Sequence, residues 1–125
     1  MPANSFIPLG GTPVAASSGN VANAVATATI PAVSGRLNYI TGLYITGSGA
    51  TSGAAVSVTI TGLVGGTQTY TYTAATGAAL ANTPLQINFP TPIQATGLGV
   101  AIVVSCPALG AGNTNNTVVV TGFYE

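Results

Sequence analysis

Hydrophobic and polar side chains alternate along residues 56–73, VSVTITGLVGGTQTYTYT. Val, Ile and Tyr recur at alternate positions on both sides of the pair Gly65 and Gly66, and Ser and Thr lie between them. Such alternation is typical of a strand with one buried face, and a glycine pair between two such runs is typical of a hairpin turn. The pattern therefore predicts a β-hairpin with an apolar inner face and a threonine-rich outer face.

Five further segments have the length and composition of strands, and each is bounded by Gly, Pro or Asn. They are residues 21–30, 37–46, 85–89, 99–106 and 117–125. Helical patterns are nearly absent, because Lys and Glu are missing from the body of the chain and Leu is sparse. About seven short strands separated by turn residues predict an antiparallel all-β sandwich or small barrel, which we place at residues 21–125.

Two of these segments indicate how the sheets bury their side chains. In LNYITGLYIT, strict alternation would place Leu37, Tyr39, Leu43 and Ile45 on one face. The segment GVAIVVSC is apolar on both faces, as expected of a central strand. It ends in Cys106, which we expect to be a small buried hydrophobic residue.

Residues 1–20, MPANSFIPLGGTPVAASSGN, contain three prolines and three glycines and show no periodicity. This composition predicts an irregular N-terminal arm. The arm contains apolar side chains that can be buried in a contact, so we expect it to lie on a neighbouring subunit. The alternative is a segment folded back on its own domain. The candidate contact residues are Phe6, Ile7, Leu9 and Val14.

Charged residues make up only 2% of the chain, against about 25% in a typical soluble domain. Arg36 is the only basic residue and Glu125 the only acidic one. The chain has no basic patch that could bind a nucleic acid, so a nucleic-acid partner is not expected. It also has no amphipathic helical pattern and no long apolar run, so a membrane is not expected as a partner. A neutral chain tends to associate, and Arg36 and Glu125 are candidate partners across a subunit boundary. The alternative is that both are simply solvated.

The side chains that most enzymes need are missing. The chain has no His, Asp or Lys, and its single Glu is residue 125. Acid–base pairs, Ser-His-Asp arrangements and the usual zinc or calcium ligand sets therefore cannot be built within one chain. We expect no catalytic activity, no metal and no other cofactor.

Tyrosines offer one alternative function. Aromatic faces stack on sugar rings, and a set of exposed tyrosines could form a carbohydrate-binding platform. Core packing with the hydroxyl group at the rim is the competing interpretation for most of them. The residues are Tyr39, Tyr44, Tyr70, Tyr72 and Tyr124.

The first residues, MPANSFIPLGG, contain neither a basic segment nor a long apolar segment, so they do not match a secretory signal peptide. Cys106 is the only cysteine, so no disulfide can form within the chain. Both features fit synthesis in a reducing cytoplasm.

Three stretches carry a resemblance to known proteins: IPAVSGRLNYITG, the loop ITGSGAT, and PALGAGNTN before the last strand. Together with VTITGLVGGTQTYTY they make residues 22–125 similar to a group of small virion proteins of tailed bacteriophages and prophages. The resemblance implies a capsid decoration (cement) protein with a β-sandwich or jelly-roll fold. Such proteins form trimers on the outer shell and bridge neighbouring capsomers, and the family has no catalytic residues.

From the pattern and the resemblance together we expect a single antiparallel β-sandwich, jelly-roll-like, with an extended N-terminal arm. The expected function is a homotrimeric decoration protein that binds the major capsid protein on the capsid exterior. It would be made in the cytoplasm of the host bacterium. The alternatives are another virion component, such as a tail or head fibre module, and a carbohydrate-binding β-sandwich.

Overall fold

The computed structural model describes residues 10–77 and 83–125, and within these two segments every regular element is a β-strand. The strands are β1 (Thr12–Ser17), β2 (Ala26–Ile30), β3 (Asn38–Ser48), β4 (Ser52–Gly53), β5 (Val56–Thr61), β6 (Gln68–Tyr72), β7 (Leu85–Gln94), β8 (Ile102–Cys106), β9 (Gly110–Ala111) and β10 (Asn115–Tyr124).

Eight of these strands form two four-stranded antiparallel sheets. Sheet A has the order β1-β10-β3-β7, and sheet B has the order β2-β8-β5-β6. Most successive long strands cross from one sheet to the other, and only β5 and β6 follow each other within one sheet. This strand order is that of a double-sheet jelly roll. The predicted antiparallel β-sandwich of jelly-roll type is therefore confirmed.

The hairpin predicted at residues 56–73 is β5 and β6 with their connecting turn. Val56 pairs with Tyr72 and Val58 with Tyr70, and these side chains point inward. Gly65 and Gly66 have φ angles of 90° and 101°, a left-handed conformation that glycine adopts without strain. The glycine pair therefore permits the turn, and the alternation fixes which face is buried.

The core lies between the two sheets and is built from alternate positions of their strands. In β8, Ile102, Val104 and Cys106 are fully buried, and the residues between them are half-buried. This confirms both the central position of the strand and the burial of Cys106. Burial of each large aliphatic side chain contributes about 1.5–3 kcal/mol, so the sheet–sheet contact is the main source of stability.

Two buried asparagines join sheet A to sheet B, one at each end of the sandwich. The Asn38 side-chain amide, at the start of β3, donates to the carbonyl oxygens of Pro31 and Val100, both at 2.9 Å. At the other end, the Asn116 amide in β10 donates to three carbonyl oxygens between 3.1 and 3.4 Å away. These acceptors belong to Ala24, Cys106 and Pro107. The bonds satisfy backbone groups where the strands of sheet B begin and end.

The predicted boundary of the N-terminal arm differs from the structure. Residues Thr12–Ser17 are not irregular, because they form β1, which pairs with β10 along its whole length. The described part of the arm is thus folded back on its own domain, as the alternative interpretation expected. Residues 1–9 lie outside the described residues.

Two other expectations about the strands are wrong. The strand predicted at residues 85–89 does not end there, because β7 continues through Pro90 and Pro92 to Gln94. Tyr39 does not share a face with Leu43, because the pairing of β3 shifts between Ile40 and Gly42. The extra residue there reverses the alternation, so that Ile40 and Leu43 both face the core.

Candidate subunit-contact surface and outer sheet faces

Both charged side chains of the chain lie at the same end of the sandwich. The backbones of Leu37 and Glu125 exchange two hydrogen bonds, of 3.0 and 3.1 Å, and Arg36 directly precedes Leu37. Arg36 and Glu125 are exposed. Within residues 10–77 and 83–125, neither side chain takes part in an ion pair. Pairing of these two residues across a subunit boundary stays a prediction.

Exposed apolar side chains lie at this same end. A hydrogen bond from the Gly99 N–H to the Arg36 carbonyl oxygen holds the loop that carries Leu98, whose side chain is 67% exposed. Val64, in the turn between β5 and β6, is 48% exposed, and its N–H donates to the carbonyl oxygen of Gln94. We define the charged end as Arg36, Val64, Leu98 and Glu125. It combines opposite charges with accessible apolar area, which is the composition of a contact surface.

The other predicted contact residues fall into two groups. Val14 lies in β1, where its half-buried side chain packs against the core of its own domain. Phe6, Ile7 and Leu9 lie outside the described residues. The sequence therefore indicated the charged part of the surface, but it missed Leu98 and Val64, which became recognisable only from their exposure.

The outer face of sheet B carries no charged side chain, in agreement with the threonine-rich outer face that the hairpin pattern predicted. Ser57 and Thr71 form one cross-strand pair on this face, and Thr59 and Thr69 form the next. Ser57, Thr69 and Thr71 are exposed. Strands β2 and β6 form the two edges of this sheet, and neither carries a charged residue. Charges on edge strands normally discourage pairing with other chains, and here that protection is missing.

The outer face of sheet A contains a shallow depression of about 200 Å³. Two neighbouring cross-strand rows form it. Asn88, Gly42 and Thr121 make up one row, and Gln86, Tyr44 and Val119 make up the other. The backbone of Leu43 lies between the rows. No charged residue lines the depression, and the sequence pattern had not indicated it.

The five tyrosines do not form a shared platform. Tyr70 and Tyr72 lie on the inner side of the hairpin and pack with the core. The Tyr39 ring stacks on Phe123 with a centroid separation of 4.7 Å. Of the five, only the Tyr44 side chain is exposed, and Tyr124 is half-buried. A sugar site built from several coplanar tyrosines is therefore excluded by this arrangement.

Cys106 lies at the end of the sandwich opposite the charged end. Burial raises the pKa of its thiol to about 11, and a hydrogen bond with Asn116 partly opposes this shift. A thiol that stays protonated is a poor nucleophile, so the geometry gives Cys106 a packing role. Within the part of the chain that the structure describes, the buried Oδ1 atoms of Asn38 and Asn116 accept no hydrogen bond.

The described part of the chain holds no group of three or more His, Cys, Asp or Glu side chains that could bind a metal ion. It also has no helix with the length and apolar character needed to cross a membrane. No protein-family model matches the chain, and no curated protein is similar to it at a significant level. A functional assignment therefore depends on the surface chemistry and on the resemblance noted in the sequence.

Proposed function

We propose that this chain is a structural virion protein, a decoration protein that stabilises a bacteriophage head from outside. In this proposal three copies associate through the charged end, and the outer face of sheet B lies against the major capsid protein. The protein then bridges neighbouring capsomers and catalyses no reaction. The observation that carries the proposal is the absence of charge from both sheet faces of a jelly roll whose two charges lie together at one end.

The neutral faces support burial in an assembly. Burying an unpaired charge costs several kcal/mol, whereas threonine and serine hydroxyl groups can find hydrogen-bond partners in a neighbouring protein. The exposed residues Ser57, Thr69 and Thr71 therefore allow close contact with a shell at little electrostatic cost. The jelly roll is also one of the folds that recur in viral capsid proteins, which is support by analogy only.

The charged end supports a cyclic oligomer. Arg36 and Glu125 lie on neighbouring strand ends, so one copy presents both charges at the same end. Around a threefold axis, Arg36 of each copy can meet Glu125 of the next, and every pair is then satisfied. Leu98 and Val64 would supply apolar area beside these pairs.

The first test is the native mass of the purified chain by light scattering. We expect three times 12.1 kDa. The protein is then mixed with empty heads assembled from the major capsid protein encoded in the same genome. Co-sedimentation with the heads and a higher disruption temperature of the heads are the expected results. A chain that forms trimers but never binds heads would contradict the decoration role and favour a tail or fibre module.

The variant Thr71→Lys tests the proposed shell-facing surface. We expect it to weaken head binding at least tenfold without changing the native mass, because it introduces a charge on the outer face of sheet B. The matched control is Ala15→Lys, which adds the same charge to an exposed position of sheet A. If both variants lost head binding equally, an added positive charge on either sheet would weaken binding, and the outer face of sheet B would not be the specific contact surface.

A further inference from the structure

One of the residues that line the depression on the outer face of sheet A, Gly42, has no side chain. Gly42 lies between Asn88 and Thr121 in the same cross-strand row. A Cβ atom at Gly42 would project between these side chains, 3.2 Å from the Asn88 Oδ1 atom and 3.6 Å from the Thr121 Oγ1 atom. Tyr44 stands in the next row with its side chain 41% exposed. The depression therefore has polar side chains on its walls and the aromatic ring of Tyr44 at one side.

The polar groups of this depression are available to a ligand. The carboxamides of Gln86 and Asn88 are exposed and take part in no hydrogen bond within residues 10–77 and 83–125. The Thr121 hydroxyl is held in place by the Thr41 hydroxyl at 3.0 Å. A carboxamide both donates and accepts hydrogen bonds, so two of them side by side can serve neighbouring hydroxyl groups, which also donate and accept.

The same features define the class of ligand. No lining residue is charged, so nothing in the depression would compensate the desolvation of an ionic ligand. A volume of about 200 Å³ is below the ~300–1,000 Å³ of sites for drug-sized molecules, so there is room for one ring. An aromatic side chain beside amides and a hydroxyl suits a molecule with an apolar C–H face and several hydroxyl groups.

We propose that this depression is a subsite for one neutral sugar residue of a glycan. Tyr44 packs against the C–H face of the sugar ring, and Gln86, Asn88 and Thr121 bind its hydroxyl groups. The proposal does not depend on the decoration role, because the site lies on sheet A and uses no residue of the charged end or of sheet B. On a virion, this face would point away from the shell and could meet glycans on a cell surface.

The strength of binding follows from the size of the ligand. A sugar ring has about a dozen heavy atoms, and a ligand of that size is expected to bind with a Kd in roughly the millimolar range. NMR titration detects binding of one sugar to a single site of this strength. Detection on a glycan array requires several copies of the glycan to be immobilised close together, so that more than one site is occupied at once.

The experiment uses the intact protein on an array of neutral oligosaccharides of glucose, galactose, mannose and N-acetylglucosamine. The methyl glycoside of the best-bound terminal sugar is then titrated by NMR. We expect Tyr44→Ala and Asn88→Ala to weaken binding at least tenfold, and Tyr44→Phe, which keeps the ring, to weaken it less than threefold. The control Asn115→Ala removes an exposed amide from another part of sheet A and should change nothing.

Three outcomes would overturn the proposal. The first is that the wild-type protein binds none of the arrayed sugars. The second is that Tyr44→Ala binds them as well as the wild type does. The third is that Tyr44→Ala lowers the native mass, which would make this face a subunit contact. A melting temperature close to that of the wild type shows that each variant is folded. Head binding by Tyr44→Ala is measured in parallel, so failure of the sugar site is distinguishable from failure of the decoration role.

Discussion

At the scale of single residues, Gly122 shows how closely two strands of sheet A approach each other. It pairs with Ile40 beside the bulge in β3 and faces the core. A Cβ atom there would overlap the carbonyl oxygen of Tyr39 and come within 2.9 Å of the Ile30 Cδ1 atom. The constraint comes from space, because the φ angle of Gly122 is not in the left-handed region.

We therefore expect Gly122→Ala to lower the free energy of unfolding by about 3 kcal/mol, at the upper end of the cost of overpacking. Urea unfolding followed by circular dichroism measures the change. Gly97→Ala is the matched control, since its added Cβ would have no neighbour within 4 Å and its φ angle is not positive. We expect the control to stay within about 1 kcal/mol of the wild type. An equal decrease in the free energy of unfolding of both variants would argue against a close approach of the strands at Gly122.

Cys106 gives the protein a dependence on alkaline pH. Its thiol ionises near 9.0 when unfolded and, because burial disfavours the thiolate, near pH 11 when folded. Between these values the unfolded chain binds fewer protons, so stability is complete below pH 9.0 and falls as the pH rises toward 11. The expected slope is roughly 1 kcal/mol per pH unit. Urea unfolding under reducing conditions should show this slope, and Cys106→Ala should lack it. The same slope in both proteins would assign the effect to other groups.

At the scale of elements, the two sheets are joined at their ends by Asn38 and Asn116 as well as through the core. Both side chains are fully buried, and their amides are the donors for carbonyl groups of the opposing layer. Replacing either residue removes these bonds and leaves buried acceptors unsatisfied, which costs about 1–3 kcal/mol for each group.

We expect Asn38→Ala and Asn116→Ala each to lower the free energy of unfolding by on the order of 3 kcal/mol. Asn115→Ala, next to one of them, should change it by less than about 0.5 kcal/mol, because Asn115 is exposed and bonds only to hydroxyl groups. Chemical denaturation of the three variants measures these differences. If Asn115→Ala lowered the free energy of unfolding as much as Asn38→Ala and Asn116→Ala do, the proposal that the two buried asparagines join the sheets would be wrong.

The sequence predicted the elements whose alternation is uninterrupted and failed where a local feature breaks it. The hairpin of β5 and β6 was recognisable from its alternating Val, Ile, Tyr and Thr. The first strand was missed because the segment TPVAAS consists mostly of small residues with little contrast between its faces. The two prolines of β7 led to a predicted strand end at residue 89, but an edge strand tolerates residues that cannot donate a backbone hydrogen bond.

The candidate sites were predictable only in part, for a related reason. Arg36 and Glu125 can be identified from the composition alone, because they are the only charged residues of the chain. The depression combines residues of β3, β7 and β10, and its geometry depends on the register of three strands and on the bulge beside Gly42. A sequence pattern gives the face of a residue but not its cross-strand neighbour, so Asn88 and Thr121 could not be brought together in advance.

At the scale of the whole molecule, charged and neutral side chains are segregated on the surface rather than evenly mixed. Both sheet faces are neutral, and the two charges lie at one end with the exposed side chain of Leu98. A monomer would gain solubility from charges spread over its surface. Concentrating them at one end is useful where the end must recognise a partner in a fixed orientation, because charge pairs set register more than they add affinity.

Charge reversal tests whether this partner is a second copy of the chain. Arg36→Glu or Glu125→Arg alone would place like charges against each other at every contact of the ring, so each should weaken self-association at least tenfold, about 1.4 kcal/mol. The double variant restores opposite charges and should recover most of the wild-type affinity, as a double-mutant cycle requires for a direct pair. Analytical ultracentrifugation over a range of protein and salt concentrations measures the three constants. A double variant no better than the worse single variant would show that the two residues do not meet between copies, and that the charged end faces a different protein.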